Sequence, residues 1–463
     1  MKILLIQPAK ALLTISGEDV RGMPEPLALE YIASGVVKNH QVRILDMRIE
    51  KDLESVLRDF RPDVVGITAY TVHVNTAKRL FHEIKAWNPD VFTVVGGHHA
   101  TVSPEDFLTP FVDVIVTGEG IFVFQKLMER LAKRESFNGI PGIIFKQGNV
   151  VLKTAPEPLS DLDIFPFPER SLTSQYRKRY YYEWMKPLAF IRTSKGCPFR
   201  CSFCSLWKLT GGQYLGRNPE NIVKEIARID EPFVFFADDE SLVDFKRMYT
   251  LARLLKEAGI RKKYFLYGRS DTIARHPDLL KTWRDIGLER VFLGLEFFRD
   301  EDLKFISKGS MIKDNEAAVR ILQDLGIEMY ASLIVRPEFR KEDFTMMQRY
   351  CRNLALNYAT FSVLTPLPGT DYYELEKSRL ITHDYDCFDF VHTLLPTTLP
   401  LKDFYEELYH LYQKAFPIKA GLSYLRKFPV REVPAVLVKV LKTYNHIRNA
   451  YKDYNCSHRG IRI

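Results

Sequence analysis

The first 130 or so residues repeat one pattern: short continuous apolar runs, "KILLIQP", "QVRILD", "DVVGITAY", "FTVVGG" and "DVIVTGEG", separated by amphipathic stretches such as "NTAKRLFHEIKAWN". Uninterrupted β-branched runs suit strands buried on both faces, and the helical period between them marks the crossovers. The pattern predicts an α/β fold opening with a doubly wound, Rossmann-like domain over residues 1–140. Residues 141–186 are rich in proline, acidic and turn residues ("KTAPEPLSDLDIFPFPERS") and read as a linker. Alternation then resumes in "LAFIRTSKGC", "FVFFADDES", "KYFLYGRSD", "RVFLGLEFF", "EMYASLIVRPE" and "YATFSVLTPLPGT". Helical stretches such as "MYTLARLLKEAG", "HPDLLKTWRDIG" and "NEAAVRILQDLG" lie between them, each closed by a glycine as a C-cap would be. Six strand-helix repeats predict a (β/α)6 partial TIM-type barrel over residues 187–400, with its site at the carboxyl ends of the strands. Residues 401–463 read as a helical carboxyl-terminal region.

Charge and cysteine usage narrow the function classes. The formal net charge of +8 is concentrated at one end, where ten Lys or Arg from Lys419 onward face only Glu432 and Asp453. Such an end suits contact with acidic membrane lipid or nucleic acid, or a solvated helical tail; of these partners, nucleic acid is not the one expected. Tyr, Phe and Leu at helical spacing there are read as core contacts, with a membrane-surface helix as the alternative. "MKILLIQP" is too short for a signal h-region or a membrane span and reads as a first strand. Six cysteines, three of them within eight residues, do not form a secreted disulfide framework, so the expected location is cytoplasmic, with peripheral contact at the inner membrane face as an extension. Cys351, Cys387 and Cys456 read as small apolar side chains.

The chemistry concentrates in "KGCPFRCSFCS", which places Cys197, Cys201 and Cys204 in C-x3-C-x2-C spacing after a strand. Structural zinc wants four ligands, and His276 and Cys351 are too distant in sequence to be obvious partners. Three thiolates on a short loop can instead hold a four-iron four-sulfur (4Fe-4S) cluster by three irons, leaving one iron open to a substrate or cofactor.

This motif, with Phe203 before its last cysteine and a barrel around it, resembles the radical S-adenosyl-L-methionine (SAM) enzymes. The resemblance implies that SAM binds the open iron and is cleaved reductively to methionine and a 5′-deoxyadenosyl radical, with an electron from a donor such as ferredoxin or flavodoxin. It implies SAM contacts from Phe203; from Asp238, Asp239 and Glu240 in "ADDES", where the family's usual GGE is absent; from Arg269 and Ser270 in "GRSD"; and from Glu296 in "GLEFF". The competing reading pairs Arg269 with Glu296 as a structural salt bridge. "PLPGT" (366–370) is similar to the family's terminal turn and reads as structural. No catalytic residue beyond the cluster ligands is assigned.

The amino-terminal strand ends resemble the loops of a cobalamin-binding domain. Thr68, Tyr70 and Thr71, then Gly96, Gly97 and His98, then Gly118, Glu119 and Gly120 are the positions that would embrace the corrin. The DxHxxG lower-ligand motif is missing, which implies an empty or water-filled lower face, or another residue there; His73 and His98 are read as loop or packing histidines with that alternative attached. Cobalamin ahead of a radical SAM barrel implies methylation of an unactivated carbon through methylcobalamin. Segments such as "EPLALEYIASGV" and "FDFVHTLLPTTLPLKDFYEELYHLYQKAF" are most similar to the hopanoid C-3 methylases, implying a lipid-like substrate. The alternatives are cyclisation or rearrangement with cobalamin bound, or a non-catalytic iron-sulfur or corrinoid-binding module.

Overall fold

A computed structural model describes residues 1–10, 22–415 and 418–454; Cys456 lies outside them. The chain divides into two compact units, residues 1–12 with 24–178 and residues 13–23 with 179–463.

In the first unit β1 (Lys2–Gln7), β2 (Gln41–Asp46), β3 (Val64–Thr68), β4 (Phe92–Gly96) and β5 (Val114–Val116) form a parallel sheet. Their order is β2-β1-β3-β4-β5, so the winding reverses between β1 and β3. Both alternating sets of β1 side chains are buried, Ile3 and Leu5 on one face and Leu4 and Ile6 on the other, which is why the run carries no polar alternation. Helices α1 (Leu27–Ser34) and α5 (Ile121–Lys133) cover the first face, with Leu29, Phe124 and Leu127 in its core. Between them in the chain come α2 (Leu53–Phe60), α3 (Val74–Trp87) and α4 (His98–Val102).

The segment read as a linker carries structure. Its start forms an antiparallel hairpin, β6 (Ile143–Gln147) and β7 (Val150–Lys153), which extends the sheet from β5. Gly148, at φ 61°, turns the chain between two β-branched runs, a hairpin signal that the proline-rich stretch after it masked. Further along, the Thr173 hydroxyl donates to the buried Glu30 carboxylate, fastening the segment to α1.

The second unit holds six parallel strands in strict chain order: β8 (Leu188–Ile191), β9 (Phe233–Phe236), β10 (Lys263–Arg269), β11 (Leu288–Glu296), β12 (Glu328–Val335) and β13 (Ala359–Val363). Alternate residues of each strand serve two different cores. Outward residues such as Val234, Leu266, Val291, Leu333 and Phe361 pack under the helices, while Leu188, Phe235, Phe265 and Tyr330 face inward. The Tyr182 ring meets Phe235, Phe265 and Tyr330 at 5.6, 5.2 and 5.6 Å, so the sheet curls until its inner faces converge. Arg290, fully buried, closes the amino-terminal end of this interior against Glu183 at 2.5 Å.

The carboxyl-terminal region is helical: α6 (Leu401–Lys414), α7 (Ile418–Leu425) and α8 (Val433–Asn449). Phe404, Tyr405, Leu408, Leu411 and Tyr412 join the outer core, as their spacing predicts. Cys351 and Cys387 are buried, as expected of small apolar side chains. No helix among the described residues is long and apolar enough to cross a membrane.

His392 ties down the end of this region. Its ring is buried between the Asp389 and Asp453 carboxylates, each at 3.0 Å. Burial opposes its charge, but the two carboxylates prevail and raise its pKa to about 10. Folding therefore takes up a proton on His392 above the ordinary pKa of about 6.5. Its contribution to stability is full below that value and is lost as pH rises through about 10. Urea unfolding followed across this range is expected to show declining stability, with a shallower decline in His392→Gln.

Candidate functional site

The three cysteines lie on the loop after β8, and the structure pins this loop from several directions. The Asp238 carboxylate, beyond β9, accepts from the backbone amides of Thr193 and Ser194 at 2.7 and 2.8 Å and from the Thr193 hydroxyl at 2.6 Å. Asp239 accepts from the Gly196 amide at 2.6 Å. The Ser202 amide donates to the Ile306 carbonyl, and the Ser202 carbonyl accepts from the Tyr372 amide just after the "PLPGT" turn. That turn thus braces the cysteine loop.

Gly196 has φ 86°, and a Cβ there would lie 2.0 Å from the Gln213 carbonyl oxygen. Only glycine combines that backbone conformation with that close approach.

The donor set fits an iron-sulfur cluster. Cys197, Cys201 and Cys204 are all free thiols, and burial pushes Cys197 up to about 11 and Cys204 up to about 12. Both are neutral until a metal displaces their protons. Arg269, at the end of β10, stacks its guanidinium 3.6 Å from the Phe199 ring centroid and brings Nη1 to 3.9 Å from Cys201 Sγ. These residues would hold the cluster, and Arg269 would stand beside it.

The expected SAM residues fall into two groups. Asp238 and Asp239 both accept hydrogen bonds from the cysteine loop, Asp238 three of them and Asp239 one. Glu240 is buried and accepts from the amides of Leu242 and Arg269, both at 3.3 Å. Burial pushes its pKa up to about 7 against the pull of Arg269 and Lys308, leaving a carboxyl that a nearby ammonium group would ionise. Phe203 packs partly buried against the outer core, a structural contact.

Arg269 and Glu296 do not pair with each other. Arg269 binds Asp271 at 2.9 Å and the Lys308 carbonyl at 2.6 Å, while Glu296 pairs with the Lys308 ammonium at 2.7 Å. Gly294 leaves room for that pair, since a Cβ there would lie 2.5 Å from Glu296 Oε1. Lys308 escaped the sequence reading; its signal was the "SKGS" run, small polar residues around Gly309 at φ 75°. The buried hydroxyls of Ser270 and Ser310 have no hydrogen-bond partner among the described residues. Orphaned donors beside a cation are what a bound carboxylate or ribose would satisfy.

At the first unit's strand ends Tyr70, Gly97, His98 and Gly118 come together. Tyr70 is exposed and stacks on His98 at 6.0 Å, and the Gly118 amide donates to Thr101. A Cβ on Gly118 would meet nothing within 4 Å, so the backbone there is open to a broad ligand. Thr68, Gly96, Glu119 and Gly120 border these turns, and Gly120 also packs against Ile32. Thr71 is buried and bonds His99 at 3.1 Å, whose other ring nitrogen meets Asp106 at 2.9 Å. Of the two adjacent histidines the sequence singles out His98, and only burial identifies His99 as the loop's brace. His73 is buried and its pKa falls to about 3; Nδ1 accepts from the Tyr70 amide at 3.3 Å. That bond leaves the proton on Nε2, so the ring presents no lone pair there for a metal. The glycine-lined turns fit a corrinoid, with histidine ligation from His73 disfavoured.

Two outcomes are expected. Gly196→Ala should lose iron and visible absorbance on anaerobic reconstitution, whereas Gly211→Ala, at φ 61° with open space around it, should cost only about 1 kcal/mol and keep its cluster. Lys308→Met strands the Glu296 carboxylate and should weaken SAM binding by about tenfold or more in calorimetry, with iron content retained.

Comparison with known proteins agrees with the reading of each unit. A family model described as B12 binding domain matches residues 14–127, and one described as Radical SAM superfamily matches residues 191–351. The hopanoid C-3 methylase of Methylococcus capsulatus is 32% identical over 92% of this chain and 82% of its own length. The anaerobic magnesium-protoporphyrin IX monomethyl ester cyclase of Rubrivivax gelatinosus is 30% identical over 81% of this chain and 69% of its own. In fold, the cobalamin-dependent SAM radical enzyme OxsB, with aqua-cobalamin and SAM bound, superposes with a TM-score of 0.72 at 16% identity, over 97% of this chain and 72% of that one. The radical SAM methyltransferase TsrM from Kitasatospora setae, with cobalamin and an iron-sulfur cluster bound, gives 0.67 at 19% identity, over 86% and 82%. The protein belongs to the cobalamin-dependent radical SAM enzymes and is a methyltransferase of that family, with a 4Fe-4S cluster, SAM and cobalamin as its cofactors.

Proposed function

We propose that this methyltransferase methylates an unactivated carbon of a polycyclic lipid, with a hopanoid at C-3 as its substrate. The observation that carries the reading is the relation to the Methylococcus hopanoid C-3 methylase, which runs through nearly the whole chain rather than the cofactor motifs alone. The interior of the second unit supports it. Beside the buried Phe235, Phe265 and Tyr330, the rings of Phe190, Tyr267 and Phe292 keep partial exposure, with Tyr267 and Phe292 5.1 Å apart. A rigid hydrocarbon would bury that aromatic wall without leaving a polar group unpaired.

When bound, the cluster and SAM supply a hydrogen-abstracting radical and the corrinoid supplies the methyl group. The chain's own residues position and exclude. Cys197, Cys201 and Cys204 would hold the cluster. Asp239 or Glu240 would accept from the SAM amino group, Arg269 and Ser270 would donate to its carboxylate, and Glu296, oriented by Lys308, would accept from ribose hydroxyls. Tyr70, Gly97, His98 and Gly118 would border the corrinoid. A flavodoxin or ferredoxin would supply electrons. A cytoplasmic location fits the free thiols of the described cysteines.

A second reading, cyclisation, is favoured by the relation to the Rubrivivax cyclase. Incubating the anaerobically loaded protein with a hopanoid and methyl-labelled SAM separates the two. Methylation predicts label in the lipid product by mass spectrometry and its complete loss in Cys201→Ala. SAM cleavage without label transfer would leave cyclisation or rearrangement as the activity.

A further inference from the structure

The carboxyl-terminal helices end in an outward surface that the reaction does not use. On α8, at about 100° per residue, Leu437, Val438 and Leu441 fall on one stripe, while Val436, Val440, Thr443 and Ile447 fall on the side turned toward the protein. The burial follows this division: Leu437, Val438 and Leu441 are 44%, 51% and 66% exposed, whereas Thr443 and Ile447 are buried. Leu422, on α7, and Val430, between the helices, are 55% and 88% exposed. An ordinary surface helix turns such residues inward, so this one is apolar on two sides.

The charge around the stripe has one sign. Residues 418–449 hold seven Lys or Arg and a single acidic residue, Glu432. Lys427 pairs with Glu328, Arg448 with Glu406, and the Lys439 ammonium turns toward the protein, 5.6 Å over the Tyr181 ring; Lys419, Arg426, Arg431 and Lys442 reach the surface, and Lys442 borders the apolar stripe on α8. Long cationic side chains bordering exposed leucine and valine suit an interface where the apolar stripe enters hydrocarbon and the ammonium and guanidinium groups reach headgroup phosphates.

We propose that α7 and α8 form a docking surface for an anionic lipid bilayer, lying in the plane of the membrane rather than crossing it. Charge complementarity selects this occupant: a protein partner would need a matching acidic, apolar face, whereas an anionic leaflet offers both features everywhere. The surface deepens the lipid-substrate reading and rests on it for its purpose, which is to bring the enzyme to where such a substrate is dissolved.

The test is sedimentation of the full-length protein with vesicles of phosphatidylcholine containing phosphatidylglycerol, and with phosphatidylcholine alone, at low and high ionic strength. The expected result is binding to the anionic vesicles, weakened by salt, that falls by at least about tenfold in the double variant Leu437→Glu/Leu441→Glu. An intact fold is confirmed by unchanged cluster loading and unchanged label transfer to a detergent-solubilised hopanoid in that variant. No binding by the wild-type protein, or equal binding by the variant, overturns the proposal. So does a wild-type dimer in light scattering that the variant reduces to a monomer, which would make the face an interface between copies. Failure of the substrate reading would appear in the detergent assay, independently of the vesicles.

Discussion

Three thiols must be held in fixed relative positions on a loop that has no regular hydrogen-bonding pattern of its own, and the rest of the catalytic unit is arranged around that requirement. Asp238 supplies the main anchor, with one carboxylate taking two backbone amides and a hydroxyl just ahead of the motif. Asp239 takes the Gly196 amide, and the stretches at 306 and 372 hold Ser202 by both its backbone groups. A buried carboxylate is expensive to desolvate unless saturated by donors, and here those donors are the loop itself. Removing the anchor would expose the loop and the carboxylate to each other's loss at once.

The strand pattern follows from the same need. Each strand serves two cores, an outer one under the helices and an inner aromatic one, so a single alternation builds both the scaffold and the wall of the interior. At the floor, Arg290 is enclosed by Glu183 and by the rings of Tyr330 and Phe265, 5.0 and 5.4 Å away. Toward the other end of the strands the inner positions change from rings to Arg269 and Glu296, and the chemistry changes with them. The gradient from aromatic to charged along β10 and β11 places apolar surface and polar side chains on the same strands.

The first unit meets a different constraint. Its sheet winds outward from β1 in two directions, leaving small residues at the ends of β3, β4 and β5, and the loops there must be held open without side chains of their own. His99 does this from behind, fixed between Thr71 and Asp106, while Tyr70 and His98 stack on the exposed side. Polar residues near one another in the chain thus divide into those that shape the turn and those left to face a ligand.

What the sequence determined by itself is short in range. The cysteine spacing, the apolar periodicities and the turn glycines are local features, and they pointed to three candidate cluster ligands, two α/β units and a basic helical end. The hairpin at 143–153 was also legible there, though overshadowed by the prolines that follow. What only the tertiary structure decided depends on residues distant in the chain. It bound Asp238 to the cysteine loop, joined Lys308 to Glu296, made His99 rather than His98 the brace, and turned Leu437 and Leu441 outward. A carboxylate, a lysine or a leucine carries no mark of its partner; which one it meets is fixed by the packing of whole elements, and burial then decides whether its charge must be answered inside the protein or is left for something outside it.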